Sequence, residues 1–135
     1  PFYDADDFHP KQNVQKMNAV EPLTDEDRQP WLDKIAENID AWNCNSGAVL
    51  ACSALKESYR ARLRSGNENV RFIFLDGRFK QIQQRIRTRK GHYMPSSLLK
   101  SQFETLEVPA DAIRVSINQS PSEIVKEILE ESGHK

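Results

Sequence analysis

Ala48-Val-Leu-Ala-Cys-Ser-Ala-Leu-Lys-Glu-Ser-Tyr-Arg60 is the stretch on which the fold turns. Its first five residues are an unbroken apolar run, which predicts a strand buried on both faces. Ser53 can then cap a helix that carries Leu55, Tyr59 and Leu63 at i, i+4, i+8, with Gly66 as its C-terminal stop. The same alternation extends in both directions. Upstream, Phe2-Tyr3 is apolar and β-prone, and an acidic loop runs from Asp4 to Pro10. A short helix follows over 11–19, with Val14 and Met17 on one face, and Glu21-Pro22 breaks it. Thr24 is a helix N-cap with Asp25, Glu26 and Asp27 loading the first turn. Leu32, Ile35, Ala36 and Ile39 keep helical spacing to about Trp42.

Downstream, residues 70–75 read as a strand and Asp76-Gly77 as a turn. Phe79, Ile82 and Ile86 form an apolar stripe on a very basic helix. A loop at 91–95 precedes a short helix opened by Ser96 or Ser97 and running to Phe103. Ile113 to Ile117 is the last strand, and Ser122 is expected to cap a final helix bearing Ile124, Val125, Ile128 and Leu129. Strands alternating with helices predict an α/β fold, a parallel sheet covered by helices on both faces. Ligands in such sheets bind at the carboxyl ends of the strands. Asp4, Asp6, Ser53, Lys56, Asp76 and the 118–121 segment all follow strands and are expected along that edge.

The 135 residues suit one domain, expected over 1–135. Hydrophobic residues make up 38% and charged residues 29%, a globular composition rather than a disordered one. A net charge of −1 gives no field favouring nucleic acid or an anionic membrane. No apolar run reaches the ~20 residues that span a bilayer, and no signal peptide is visible. Cys44 and Cys52 lack C-x-x-C spacing and read as a reduced cytosolic pair with Cys52 in a buried strand, against a disulfide or a metal site. The opening Pro1-Phe-Tyr-Asp4 reads as the end of a strand entering a loop, so a segment upstream is expected.

Asp4, Asp6, Asp7 and His9 fall within six positions. In an extended loop Asp4 and Asp6 would point the same way. There they could hold Mg²⁺ through water, accept hydrogen bonds from a polyol, or supply a general base; a solvated acidic turn is the plain alternative. Lys56 and Arg60, four apart at a helix start, could bind an anion together or be ordinary surface cations. Arg78, Lys80, Arg85, Arg87, Arg89 and Lys90 form a basic run that meets Gly91-His-Tyr-Met-Pro95. An arginine-bearing cover suits phosphoryl transfer, against a nucleic-acid patch or a solvated face. Arg28 could grip a carboxylate bidentately or form a structural salt bridge with its acidic neighbours.

Five segments together resemble the gluconate kinase family, in its order and approximate spacing. They are Asp4-Ala-Asp-Asp-Phe-His-Pro10, Pro22-Leu-Thr-Asp-Glu-Asp-Arg-Gln-Pro-Trp-Leu32, Ala51-Cys-Ser-Ala-Leu-Lys56 with Tyr59-Arg60, Arg89-Lys-Gly-His-Tyr-Met-Pro95, and Ser101-Gln-Phe-Glu-Thr-Leu-Glu107 with Pro109. Ala5 stands where the family usually has glycine, and Tyr93 where it has phenylalanine. The resemblance implies a fold like that of shikimate and nucleoside monophosphate kinases, with a five-stranded parallel sheet, a phosphate-binding loop and a lid, here approximately 89–100. It implies transfer of the ATP γ-phosphoryl group to the 6-hydroxyl of D-gluconate with Mg²⁺, in the cytoplasm and by a homodimer.

By position, the resemblance puts Asp4 near the metal and phosphates and Asp6 at the substrate hydroxyls as base or orienting group. Arg28, Lys56 and Arg60 face the sugar acid, and His92 and Gln102 are further substrate-side candidates. Arg85 and Arg89 are lid arginines over the phosphates, and Asn118 to Pro121 lies near the adenine. The family opens with a strand and G-x-x-x-x-G-K-[ST], and these residues contain no such motif. The N-terminal strand, phosphate loop and helix are therefore expected to be missing, which would leave two strands with open inner edges. Two other readings stand beside the kinase: a truncated, non-catalytic interaction module, and a kinase for another small sugar acid.

Overall fold

The structure is a computed structural model that describes residues 1–67, 69–88 and 96–133. In chain order its elements are β1 (Phe2–Asp4), a 3₁₀ turn (Ala5–Phe8), α1 (Lys11–Asn18), α2 (Asp25–Cys44), β2 (Val49–Ala51) and α3 (Glu57–Arg64). After these come β3 (Ile73–Asp76), α4 (Phe79–Thr88), α5 (Ser96–Thr105), β4 (Ile113–Ser116) and α6 (Pro121–Glu131). The chain is α/β with parallel strands, as the alternation predicts. It divides into two compact units, Pro1–Val70 with Ser101–Glu107, and Arg71–Lys100 with Val108–Lys135. None of the described helices is long and apolar enough to cross a membrane.

In the first unit β1 pairs with β2 in parallel, Tyr3 opposite Leu50 and Asp4 opposite Ala51. The long helix α2 is its spine. Thr24 caps it in a full capping box, with Asp27 bonding back to the Thr24 backbone. Its buried stripe of Trp31, Leu32, Ile35 and Ala36 meets Leu55, Tyr59 and Leu63 from the α3 region. Trp42 stacks on Tyr3 at 4.3 Å, and Trp31 donates its indole N–H to the Ala5 carbonyl at 2.7 Å. Two tryptophans of one helix thus hold the segment that carries Asp4 and Asp6.

In the second unit β3 pairs with β4, from Ile73 opposite Ile113 to Asp76 opposite Ser116. Val115 is fully buried, and α6 packs against β4. Gly77 lies so close to Ile117 that a Cβ there would sit 2.2 Å from its Cδ1, so this turn has no room for a side chain.

Several expectations change in the structure. The apolar run at 48–52 yields only a three-residue strand, and Val49 is 65% exposed rather than buried. Among the described residues β2 has one ladder, to β1, and β3 has one, to β4. Ile73 and Leu75 of β3 are also exposed.

Ser53 does not cap α3. The backbone takes a left-handed step at Ala54 (φ 34°), and the helix starts at Glu57, whose N–H is accepted by the Glu107 carboxylate at 2.8 Å. Ser120, not Ser122, caps α6, because Pro121 occupies the first helical position, where its missing N–H costs nothing. In α1 the buried residue is Asn13, while Val14 is 41% exposed. The Asp4–Phe8 segment is a 3₁₀ turn rather than extended chain, so the alternation argument for Asp4 and Asp6 does not apply.

Candidate active site

Asp4 ends β1 and caps the 3₁₀ turn, accepting the Asp6 N–H on Oδ1 at 2.9 Å. That leaves its second carboxylate oxygen for another partner. His9 closes the turn, its backbone N–H reaching the Asp6 carbonyl. The acidic motif is therefore a 3₁₀ turn bonded to Trp31 through the Ala5 carbonyl, with Ala5 itself buried.

In the same unit, Arg28 and Lys56 converge on Tyr59. Arg28 Nη1 donates to the Tyr59 hydroxyl at 2.9 Å, and that hydroxyl donates to the Asp25 carboxylate. Lys56 Nζ meets both Asp25 oxygens at 2.9 and 3.0 Å. Both cations lie over the Tyr59 ring, at 5.4 and 5.7 Å from its centroid. The Tyr59 hydrogen bond, then that of Lys56, holds the Asp25 carboxyl below its ordinary range, and the same pairing raises Lys56. Burial first, then the bond to Asp25, pushes Tyr59 upward, so it stays a neutral phenol at physiological pH. Two cations and one exposed carboxylate make a net positive cluster. The Asp25 carboxylate is itself largely exposed, so its pairing with Lys56 alone contributes little stability. A cleft of about 440 Å³ opens alongside, lined by Asp25, Gln29, Tyr59 and Arg62.

Arg60 stands apart from this cluster. It is only 3% exposed, and its guanidinium donates to the Ala54 and Glu107 carbonyls at 2.8 Å each, with Glu57 at 3.3 Å. Spacing puts Lys56 and Arg60 on one helical face. The late start of α3 instead leaves Lys56 as the N-cap, outside the helix, and turns Arg60 inward. Gln102 lies on α5, in its part belonging to this unit, and its carbonyl accepts the Leu106 N–H.

In the second unit, Arg85 of α4 donates to the Ile117 carbonyl and, at 3.5 Å, to that of Gln119. Asn118 bonds through its N–H to the Ser116 hydroxyl, and Pro121 begins α6. The structure thus joins Arg85 to the 117–121 loop. Arg89 and His92, with the lid up to residue 95, lie outside the described residues. Among the described residues no three or more His, Cys, Asp or Glu side chains gather as a metal cage. Mg²⁺ in kinases needs only one or two carboxylates beside water and substrate phosphates, and the spare oxygen of Asp4 fits that requirement.

No family model matches the chain. It is 44% identical to a gluconokinase of Gluconobacter oxydans across 95% of its own length and 74% of that protein's. It is 41% identical to the thermosensitive gluconokinase of Escherichia coli across 93% and 70%. The chain belongs to the gluconokinase family. A solved gluconokinase from Sinorhizobium meliloti superposes with a TM-score of 0.84 at 43% identity, covering 96% of this chain and 75% of that one. An unliganded sugar kinase from Janibacter gives 0.84 at 41%, covering 96% and 77%. Membership of the gluconokinase family makes the chain a phosphotransferase-family protein with the α/β kinase architecture.

Sequence reasoning did not single out Asp25, Asn13 or Trp31, which the structure ties to the candidate site residues Tyr59, His9 and Ala5. Asp25 looked like a dipole-complementing residue of a helix start. Its bond to Tyr59, 34 positions away, has no local signature. Asn13, one polar residue among Lys11, Gln12 and Gln15, carries no local signal of its burial.

Proposed function

We propose that the chain carries the substrate side of an ATP-dependent gluconokinase, which converts D-gluconate to 6-phospho-D-gluconate. The observation that supports this most directly is the convergence of Arg28 and Lys56 on Tyr59, in the unit that also holds the Asp4–Asp6 turn. A sugar acid needs a cationic grip for its carboxylate and a carboxylate at its reacting hydroxyl, and one unit supplies both. Arg28 and Lys56 bind the acid group, with Gln102 and His92 as further contacts. Arg60 acts through the turn it pins. Asp6 orients the 6-hydroxyl and receives its proton as the oxygen attacks the γ-phosphorus and ADP leaves. Arg85 and Arg89 neutralise phosphate charge, and Asn118 and Pro121 border the adenine. Asp4 would hold Mg²⁺, which supplies charge neutralisation on the phosphates when bound. Residues 89–100 act as the lid. A cytoplasmic location and a homodimer belong to the same reading and rest on the family resemblance.

The two other readings, a non-catalytic module and a kinase for a different sugar acid, gain nothing from relatives that are called gluconokinases. The test is gluconate-dependent ADP release by the full-length protein. Asp6→Ala should abolish it. Near-normal turnover in that variant would remove Asp6 from its role, and absence of turnover in the wild type would overturn the assignment.

A further inference from the structure

Asn13 is completely buried in the first turn of α1, an amide where an apolar residue would pack more simply. Its Nδ2 donates to the Asp27 carbonyl at 2.7 Å, and a carbonyl can only accept, which sets the orientation of the amide. The same Nδ2 faces His9 Nδ1 at 3.2 Å. Nδ1 is therefore an acceptor, and the proton of the neutral ring is on Nε2. A protonated ring would set two N–H groups against each other. The imidazole also lies flat on Trp31, with centroids 4.5 Å apart and planes 10° from parallel. The Asn13 Oδ1 has no partner among the described residues, a cost to stability that the arrangement carries.

His9 belongs to the Asp6 turn and neighbours Arg28. Its backbone closes the turn that bears Asp6, and its ring lies near enough to Arg28 for that cation to act on its titration. A neutral donor at this point adds a directed hydrogen bond without adding a third cation beside Arg28 and Lys56. We propose that His9 is a substrate-contacting residue, held by Asn13 and Trp31 as the Nε2–H tautomer to donate to an oxygen of the bound polyhydroxy acid. This rests on the gluconokinase reading and adds a specificity-determining contact to it.

Two variants separate the ring's two nitrogens. His9→Asn keeps an acceptor near the Nδ1 position and loses the Nε2 donor. His9→Gln keeps a donor near Nε2 and loses the acceptor. In the full-length protein, His9→Asn should raise the KM for gluconate about tenfold and leave that for ATP unchanged, whereas His9→Gln should stay within about threefold. The reverse order, or equal effects on both substrates, would overturn the proposal. Long-range ¹H–¹⁵N correlation on the wild type should show the His9 proton on Nε2, and a proton on Nδ1 would overturn it without reference to activity. A wild type inactive on gluconate would sink the functional reading, whereas an active wild type with an unaffected His9→Asn variant would sink only this contact.

Discussion

Lys56 and Arg60 are two cations four positions apart with opposite fates. Lys56 stays near the surface, paired with the exposed Asp25 carboxylate. Arg60 is buried because its planar fork satisfies two carbonyls and a carboxylate at once, which an ammonium could not do with the same geometry. The two cysteines diverge in a similar way. Cys44 is exposed at the end of α2, whereas burial, followed by the negative charges of Asp6 and Asp4, pushes the Cys52 thiol up to about 11. The thiolate is the reactive species. A disulfide reagent at neutral pH should therefore modify exposed Cys44 much faster than half-buried Cys52. Equal rates for the two thiols would refute the burial argument.

At the scale of elements, helix ends show most clearly what local sequence encodes and what it leaves open. α2 is capped as Thr24 predicts, because cap and partner are three residues apart. α3 is capped by Glu107, fifty residues away, which no local reading finds. α1 ends in a Schellman arrangement, with Glu21 N–H to the Lys16 carbonyl and Val20 N–H to the Met17 carbonyl. The left-handed position is filled by Val20, at φ 61°, where glycine is usual. A β-branched residue there costs roughly 1–2 kcal/mol, partly offset by the greater unfolded-state freedom of glycine. Val20 is 42% exposed, so little packing would be lost with it. Val20→Gly should stabilise the protein by about 0.5–1 kcal/mol, read as a higher midpoint in urea with an unchanged slope. A lower midpoint would show that the valine side chain contributes more than its backbone strain removes.

For the molecule as a whole, acid should act in two stages. Burial, then Arg28, lowers His9 from 6.5 to about 4, so between these values the unfolded chain binds a proton that the folded chain does not. Stability must then fall as pH drops through that window. Asp27 is lowered from 3.8 to about 2 by Lys16 and the Thr24 cap, so its contribution is present above 3.8 and lost as pH falls towards 2. Denaturation midpoints followed against pH should show the upper stage, and His9→Gln should remove it; its persistence in that variant would assign it to another group. The alternation of strands and helices, the Thr24 cap, the turn at Gly77 and the order of the family segments were all legible in the 135 residues, because periodicity and capping act within a few positions. The tertiary structure alone decided that Asn13 is buried and Val14 is not, that Arg60 turns inward while Lys56 meets Asp25, and that Ser53 yields its cap to Glu107. Each of these depends on which polar groups two distant segments leave to be satisfied when they pack, and that balance is struck only in three dimensions.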